Sequence, residues 1–289
     1  WSDWYLAANI GKTDSLDGQL MPGLEPRGVP RSLKGSSISF HFNHLDELKA
    51  KANGIEKEIA AIIVEPARGE DAPKDFLVSL KEFANEIGAV LIFDEITSGF
   101  RMCAGGIHLN YAINPDMAIF AKSMANGYAM AAVIGTEKVM SAAQSTFISS
   151  TNWTERIGPV AAIASIEKYI KKNVANHIIK VGNDVKGVWK KKANKHGLTI
   201  NISGLPTLAS FSFPNENNQT MMTFFTIEML KMGFLGYRQF KSSFAHSKKE
   251  INKYSQAVDE IFEKLAKEQL KELLTTSVAH TGFTRLTSE

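Results

Sequence analysis

Two short apolar runs joined by one amphipathic segment constrain the fold of this chain more than any other feature of its sequence. The runs are Ala60–Glu65 (AAIIVE) and Ala89–Phe93 (AVLIF), and both are typical of strands buried on two faces. Between them, apolar residues recur at helical spacing from Pro73 to Gly88, two residue types that favour a helix start and a helix stop. A strand, a helix and a strand in this order predict a parallel sheet covered by helices.

Later segments extend this pattern and then change its character. Met117–Ala121 (MAIFA) and Ala131–Gly135 (AAVIG) are two further apolar runs of strand length. From about Thr154 the sequence predicts one long helix or two, rich in lysine as far as about Lys195. Thr207–Phe213 (TLASFSF) then alternates polar and apolar residues, as a half-exposed strand does.

The last predicted helix has a recognisable start. Ser247 and Glu250 have the spacing of a capping box, and apolar residues follow at helical spacing as far as Leu265. We therefore predict an α/β chain of two domains with a boundary near residue 170. Residues 1–170 would form the larger domain, with a mostly parallel sheet, and residues 171–289 a smaller C-terminal α/β domain.

Composition and charge exclude several classes of protein. Apolar residues make up 44% of the 289 residues, as in a globular chain, and no apolar run approaches the roughly 20 residues of a membrane span. A net charge of +3, with no aromatic residues among the lysine clusters, does not favour nucleic-acid binding. The single cysteine, Cys103, rules out a disulfide within the chain and fits a reducing cytoplasm. No His, Cys and Asp spacing resembles a metal site.

Two polar residues that follow predicted strands are candidates for chemistry. Asp94 ends one strand and Lys122 follows another, and the carboxyl ends of parallel strands form the edge where ligands bind. We expect small and apolar neighbours to desolvate Lys122 partly, which favours a nucleophilic amine that forms Schiff bases. Such a lysine, with an acid for the ring nitrogen, is the pair that pyridoxal phosphate requires. Spacing alone leaves open a surface lysine and an aspartate that caps a turn.

Three stretches of sequence carry a resemblance to a known family. They are Ile62–Pro66 (IIVEP), Asp94–Arg101 (DEITSGFR) and Asn114–Gly127 (NPDMAIFAKSMANG). In order and spacing they resemble the class III aminotransferases, and more narrowly the glutamate-1-semialdehyde aminomutase-like members, over nearly the whole chain. The resemblance implies the pyridoxal-phosphate type I aminotransferase fold, a homodimer, and pyridoxal 5′-phosphate as the cofactor.

The resemblance also implies roles for individual residues. Lys122 would hold the cofactor as a Schiff base and later move a proton between two carbon atoms, and Asp94 would pair with the pyridinium nitrogen. Ile96 would pack against one face of the ring. Glu70 falls where family members place a polar group near the ring hydroxyl or the substrate, with an exposed loop carboxylate as the alternative. Thr151 matches a threonine that hydrogen-bonds the cofactor phosphate of the neighbouring subunit, with a helix N-cap as the alternative.

The chain departs from the family pattern in two places. The family's glycine- and serine-rich phosphate loop and its ring-stacking aromatic residue precede the motif at Asp94, and neither is found here. We therefore expect residue 1 to lie inside a longer protein and the sheet domain to be incomplete. After Lys122, Ser123–Ala129 (SMANGYA) replaces the glycine run and proline of true aminomutases. Arg101 is expected to support the site through an ion pair rather than to contact substrate.

The predicted function is transfer of an amino group between a small-molecule amine donor and a carbonyl acceptor through Lys122. The first alternative keeps the cofactor and changes the reaction to that of an intramolecular aminomutase, a racemase or a decarboxylase. Only a transaminase needs a separate acceptor, which distinguishes it from an aminomutase. The second alternative is a catalytically incompetent fragment or homologue, which would give no visible absorbance band with pyridoxal phosphate.

Overall fold

The computed structural model describes residues 3–12, 14–17, 23–67, 73–149, 154–267, 274 and 276–281. The chain divides into two compact units, one made of Trp1–Glu58 with Ala279–Glu289 and the other of Ile59–Val278. The first unit contains helices α1 (Asp3–Leu6) and α2 (Leu45–Ala52). Short 3₁₀ turns in the same unit span Ala7–Asn9, Arg31–Leu33 and Glu56–Glu58.

The second unit contains a four-stranded sheet that matches the predicted strands. Its strands are β1 (Ala61–Val64), β2 (Val90–Asp94), β3 (Met117–Phe120) and β4 (Ala132–Gly135), in that spatial order. The first three strands pair in parallel and β4 pairs antiparallel with β3. Helix α3 (Lys74–Ile87) connects β1 to β2, and Gly88 ends it with a left-handed φ of +80°. The predicted strand–helix–strand unit and mostly parallel sheet are confirmed.

Helices lead from this sheet toward the C-terminal part of the unit. They are α4 (His108–Tyr111), α5 (Glu137–Met140), α6 (Ile157–Lys171) and α7 (Val174–His196), and a 3₁₀ helix spans Ser141–Ser145. Helix α6 buries Gly158, Ala162 and Tyr169 and exposes an apolar stripe on another face. The predicted domain boundary lies next to the break between α6 and α7 and remains a prediction.

A second, antiparallel sheet lies in the same unit and packs against three helices. Its strands are β5 (Asn201–Ser203), β6 (Leu208–Ser212) and β7 (Gln239–Lys241), and helices α8 (Asn218–Lys231) and α9 (Lys248–Lys267) join α7 around it. Trp189 is fully buried there and its Nε1 donates to the Tyr254 hydroxyl at 2.8 Å. The predicted capping box is confirmed, because the Ser247 N–H donates to Glu250 Oε2 at 3.0 Å and the Ser247 Oγ accepts from the Lys249 N–H at 3.1 Å.

Candidate active site

The carboxyl edge of the first sheet brings together two of the candidate residues. Asp94 is the last residue of β2, and Lys122 follows the end of β3 at Phe120 by two positions. Because β2 and β3 are parallel, with Asp94 opposite Ile119, both residues lie at the same edge. Asp94 is half-buried, and its Oδ1 accepts a hydrogen bond from the Ile96 N–H at 3.0 Å.

Lys122 contacts the turn that follows Asp94. Its Nζ donates to Thr97 Oγ1 at 2.9 Å, a contact between residues 25 positions apart. The expected partial desolvation of Lys122 is wrong for this single chain, because the side chain is exposed. The apolar residues that follow it do not cover the amine. Met124 and Ala125 are buried and belong to a cluster with Ala162, α6 and the first sheet.

The backbone at Lys122 is in an unusual conformation. Its φ is +46°, in the left-handed region that L-residues other than Gly, Asn and Asp rarely adopt. Such a conformation costs about 1–3 kcal/mol and persists only where the surroundings enforce it. The next turn closes with a hydrogen bond from the Asn126 N–H to the Lys122 carbonyl at 3.0 Å. Nothing in the residue type of Lys122 signals this strain, so the sequence could not predict it.

A buried carboxylate next to Asp94 holds the turn in place, and sequence reasoning assigned it no role. Glu95 is fully buried, and its Oε1 accepts from the backbone N–H of His108 at 3.0 Å and lies 2.7 Å from the His108 ring Nδ1. Its Oε2 accepts from Ser98 Oγ and from the Ile107 N–H at 3.0 Å. Burial by itself raises the pKa of this carboxyl, but these hydrogen bonds together outweigh it and lower the pKa.

Arg101 lies on the same turn in a different role from the one expected. Its Nε donates to the Thr97 carbonyl at 2.6 Å, and burial lowers the pKa of the guanidinium. Within the described ranges no carboxylate forms an ion pair with Arg101, so the expected ion pair is not found there. Phe100, with φ of +55°, packs edge-to-face on Tyr169 at 6.1 Å between ring centroids.

The remaining predicted site residues divide into two groups. Ile96 is half-buried in the turn between Asp94 and Thr97. Its predicted contact with a cofactor ring remains a prediction. Glu70 and Thr151 both lie outside the described residues, so their predicted roles also remain predictions.

The donor set at this edge fits pyridoxal phosphate chemically. An exposed primary amine is present to react with an aldehyde, and a carboxylate at the same edge is present to pair with a protonated ring nitrogen. The two groups lie at the ends of adjacent strands, and Lys122 is hydrogen-bonded to Thr97 in the segment that begins at Asp94.

Among the described residues, no helix has the length and apolar character of a membrane span.

Comparison with known sequences points to one family. The family model "Aminotransferase class-III" matches residues 29–268. The chain is 34% identical to a 3-aminobutyryl-CoA aminotransferase of Cloacimonas acidaminovorans over 65% of this chain and 47% of the relative. It is 30% identical to a glutamate-1-semialdehyde 2,1-aminomutase of Staphylococcus haemolyticus over 86% of this chain and 64% of the relative. The chain thus spans about half to two thirds of the length of these curated relatives.

Solved structures share the fold at low sequence identity. The Sphingopyxis FumI protein, solved in its pyridoxal-phosphate internal aldimine form, matches with a TM-score of 0.79 and 22% identity, over 93% of this chain and 70% of that one. An omega-transaminase from Sphaerobacter thermophilus matches with a TM-score of 0.78 and 18% identity, over 91% of this chain and 66% of that one. These matches confirm the fold that the sequence predicted.

Proposed function

Because the chain belongs to the class-III aminotransferase family, we propose that the protein is a pyridoxal-phosphate-dependent transaminase that moves an amino group between an amine or amino acid and a carbonyl acceptor. The observation that carries this proposal is the placement of Lys122 and Asp94 at one edge of the parallel sheet. The family, together with a solved neighbour in its pyridoxal-phosphate form, supports the cofactor. Both substrates would be small molecules.

Each residue at the edge has a defined task in this proposal. The Nζ of Lys122 would bind the cofactor covalently and later carry a proton to and from the reacting carbon of the substrate. Asp94 would hold the ring nitrogen in its protonated state, and Ile96 would pack against the ring. Bound there, the cofactor supplies an electron sink for the carbanion that forms when a C–H bond breaks. Glu70 would lie near the ring hydroxyl or the substrate, and Thr151 would bind the phosphate.

An intramolecular aminomutase is the second candidate function. One specific observation favours it, since the relative from Staphylococcus haemolyticus that matches 86% of this chain is a glutamate-1-semialdehyde aminomutase. The segment Ser123–Ala129 favours the transaminase, because it lacks the run of glycines and the proline of that motif in true aminomutases. A requirement for a separate carbonyl acceptor distinguishes the two reactions.

We further propose that the protein is a cytoplasmic homodimer in which Thr151 reaches the cofactor of the neighbouring subunit. Helix α6, which begins six residues after Thr151, supports the homodimer. Its apolar residues Ile157, Val160 and Ile163 are 66%, 63% and 58% exposed in the single chain. Apolar side chains that recur along one helix face and lack cover mark a protein–protein interface. The single cysteine supports a reducing compartment.

The test compares the chain with its Lys122→Ala variant and with Lys191→Ala, which removes an exposed lysine of α7 as a matched control. On addition of pyridoxal phosphate, the parent and Lys191→Ala are expected to gain a visible absorbance band and to transfer amino groups from a panel of amines to keto acids. Lys122→Ala is expected to lose both. Turnover that survives Lys122→Ala would contradict the proposal, and a parent chain without the band would favour a catalytically incompetent homologue.

A further inference from the structure

The contact between Thr97 and Lys122 joins the turn that follows β2 to the segment that follows β3. Thr97 lies in the turn after β2, and Lys122 begins a short 3₁₀ helix, Lys122–Met124, after β3. The hydrogen bond from Lys122 Nζ to Thr97 Oγ1 is 2.9 Å long. A free lysine side chain has about 2 kcal/mol of rotamer entropy, so a single bound geometry needs a partner that selects it.

The turn that carries Thr97 has little freedom to move. The Gly99 N–H donates to the Glu95 carbonyl at 2.7 Å, and Arg101 Nε donates to the Thr97 carbonyl at 2.6 Å. Gly99 also packs closely on β3, since a Cβ at this position would lie 2.7 Å from the Phe120 ring. The turn is therefore held against the strand that leads to Lys122.

The Lys122 end is fixed as well. Its left-handed backbone, with φ of +46°, sets the direction in which the side chain leaves the sheet edge. The following residues Met124 and Ala125 are buried in a cluster with Ala162 of α6, which prevents the short 3₁₀ helix from rotating. Two rigid backbones thus present the amine and the hydroxyl to each other.

We propose that Thr97 is a positioning residue for Lys122, whose hydroxyl holds the amine at the edge that Asp94 shares. This inference rests on the proposed function of Lys122. A hydroxyl suits the task because it accepts a hydrogen bond from an ammonium and donates one to a neutral amine. Thr97 therefore keeps the amine in place in both protonation states that a nucleophile and proton carrier passes through.

The test uses the chain with Thr97→Val, which keeps the shape and removes the hydroxyl, and Thr97→Ser, which restores the hydroxyl. Thr199→Val, at an exposed threonine far along the sequence, is the matched control. The first measurement is acetylation of Lys122 at pH 7 without cofactor, relative to Lys191, by peptide mass spectrometry. The second is the amount of pyridoxal phosphate fixed at Lys122 after borohydride reduction.

Thr97→Val is expected to acetylate faster at Lys122, by about threefold to tenfold, because the ammonium loses an acceptor that stabilised its charged form. The same variant is expected to fix about threefold to tenfold less pyridoxal phosphate, because the amine loses the hydrogen bond by which Thr97 orients it at the sheet edge. Thr97→Ser and Thr199→Val should stay within about twofold of the parent in both measurements. Because Thr97→Ser restores the hydroxyl, its recovery in both measurements assigns the changes in Thr97→Val to the loss of that group.

The outcomes separate this inference from the function on which it rests. If Thr97→Val equals the parent in both measurements, Thr97 does not position Lys122 and the inference is overturned, while the proposed function stands. If the parent fixes no pyridoxal phosphate at Lys122, the proposed function fails. A faster acetylation of Thr97→Val in that case would still show that the hydroxyl holds the amine.

Discussion

Three residues other than glycine have a positive φ in the segments that follow the carboxyl ends of β2 and β3, namely Phe100, Lys122 and Asn126. In the stretch 174–267, which is described without a gap, the positive φ values belong to glycines alone. The two regions also differ in what they bury. The first buries the carboxylate of Glu95 under several hydrogen bonds, and the second buries mainly aromatic and aliphatic side chains.

This difference shows that the region around Lys122 stores strain and that the stretch 174–267 contributes stability that offsets it. Left-handed backbone outside glycine and a fully buried carboxylate, Glu95, each cost free energy, and both lie near Lys122. The buried carboxylate of the second region, Glu228, forms ion pairs with Lys231 and Lys264. The aromatic cluster around Phe262 gains free energy from burial and ring contacts without such costs. Substitutions in the two regions should therefore lower the free energy of unfolding by different mechanisms.

The largest loss of stability is expected in the aromatic cluster. Phe262 is fully buried and its ring contacts those of Phe211, Phe213 and Phe225 at centroid distances of 5.9–6.1 Å. Phe262→Ala should lower the free energy of unfolding by about 3–5 kcal/mol, since it removes apolar burial and leaves a cavity. Urea denaturation measures the change.

An exposed apolar residue of the same region provides the control for this prediction. Leu235 is 97% exposed, so Leu235→Ala should change the free energy of unfolding by less than about 0.5 kcal/mol. A loss at Phe262→Ala as small as that of Leu235→Ala would mean that the cluster does not stabilise the fold. The contrast between the two regions would then have to be abandoned.

Glu95→Gln is expected to cost less, about 2–4 kcal/mol, by a different route. The amide keeps the shape of the carboxylate but places a donor against groups that themselves donate, including the N–H of Ile107 or His108. Urea denaturation at pH 7 gives the size of the loss. Glu86→Gln, at an exposed position of α3, is the control and should stay within about 0.5 kcal/mol of the parent.

The pH dependence of the Glu95 effect has a definite sign. The pKa of Glu95 is lower in the folded chain than its ordinary value of about 4.3, so the carboxylate stabilises the fold above that value and loses this effect as pH falls. The difference between the parent and Glu95→Gln should therefore shrink as the pH is lowered from 7 toward 4 and below. A difference that grows on acidification would show that Glu95 is not a stabilising anion.

Much of the sheet could be predicted because its signals are local. The apolar runs at β1, β2 and β3 and the capping box at Ser247 need only neighbouring residues to be recognised, and each is confirmed. The motif from Asp94 to Arg101 also predicted the family, which the match over residues 29–268 confirms. That Asp94 and Lys122 would share an edge followed from the parallel order of the strands.

The features that sequence reasoning missed depend on distant contacts. Glu95 is adjacent to Asp94 in sequence, yet the hydrogen bonds that stabilise its buried carboxylate come in part from His108, 13 residues away. The exposure of Lys122 contradicted the expected desolvation because its apolar neighbours pack toward α6, a direction that spacing does not encode. The left-handed φ of Lys122 had no signal in its residue type.

The smallest expected effect on the free energy of unfolding concerns the exposed apolar stripe of α6, which lies on the surface rather than in either buried region. Ile163 is 58% exposed in the single chain, so Ile163→Glu should change the free energy of unfolding of the monomer by no more than about 0.5 kcal/mol. If the stripe is the surface that a second copy covers, the same substitution should dissociate the dimer, because it buries an unpaired charge at the interface. Light scattering of the parent, Ile163→Glu and Leu235→Glu gives the masses, and only Ile163→Glu should be monomeric. A parent that is itself monomeric, or an Ile163→Glu variant that remains dimeric, would remove the stripe from the proposed interface.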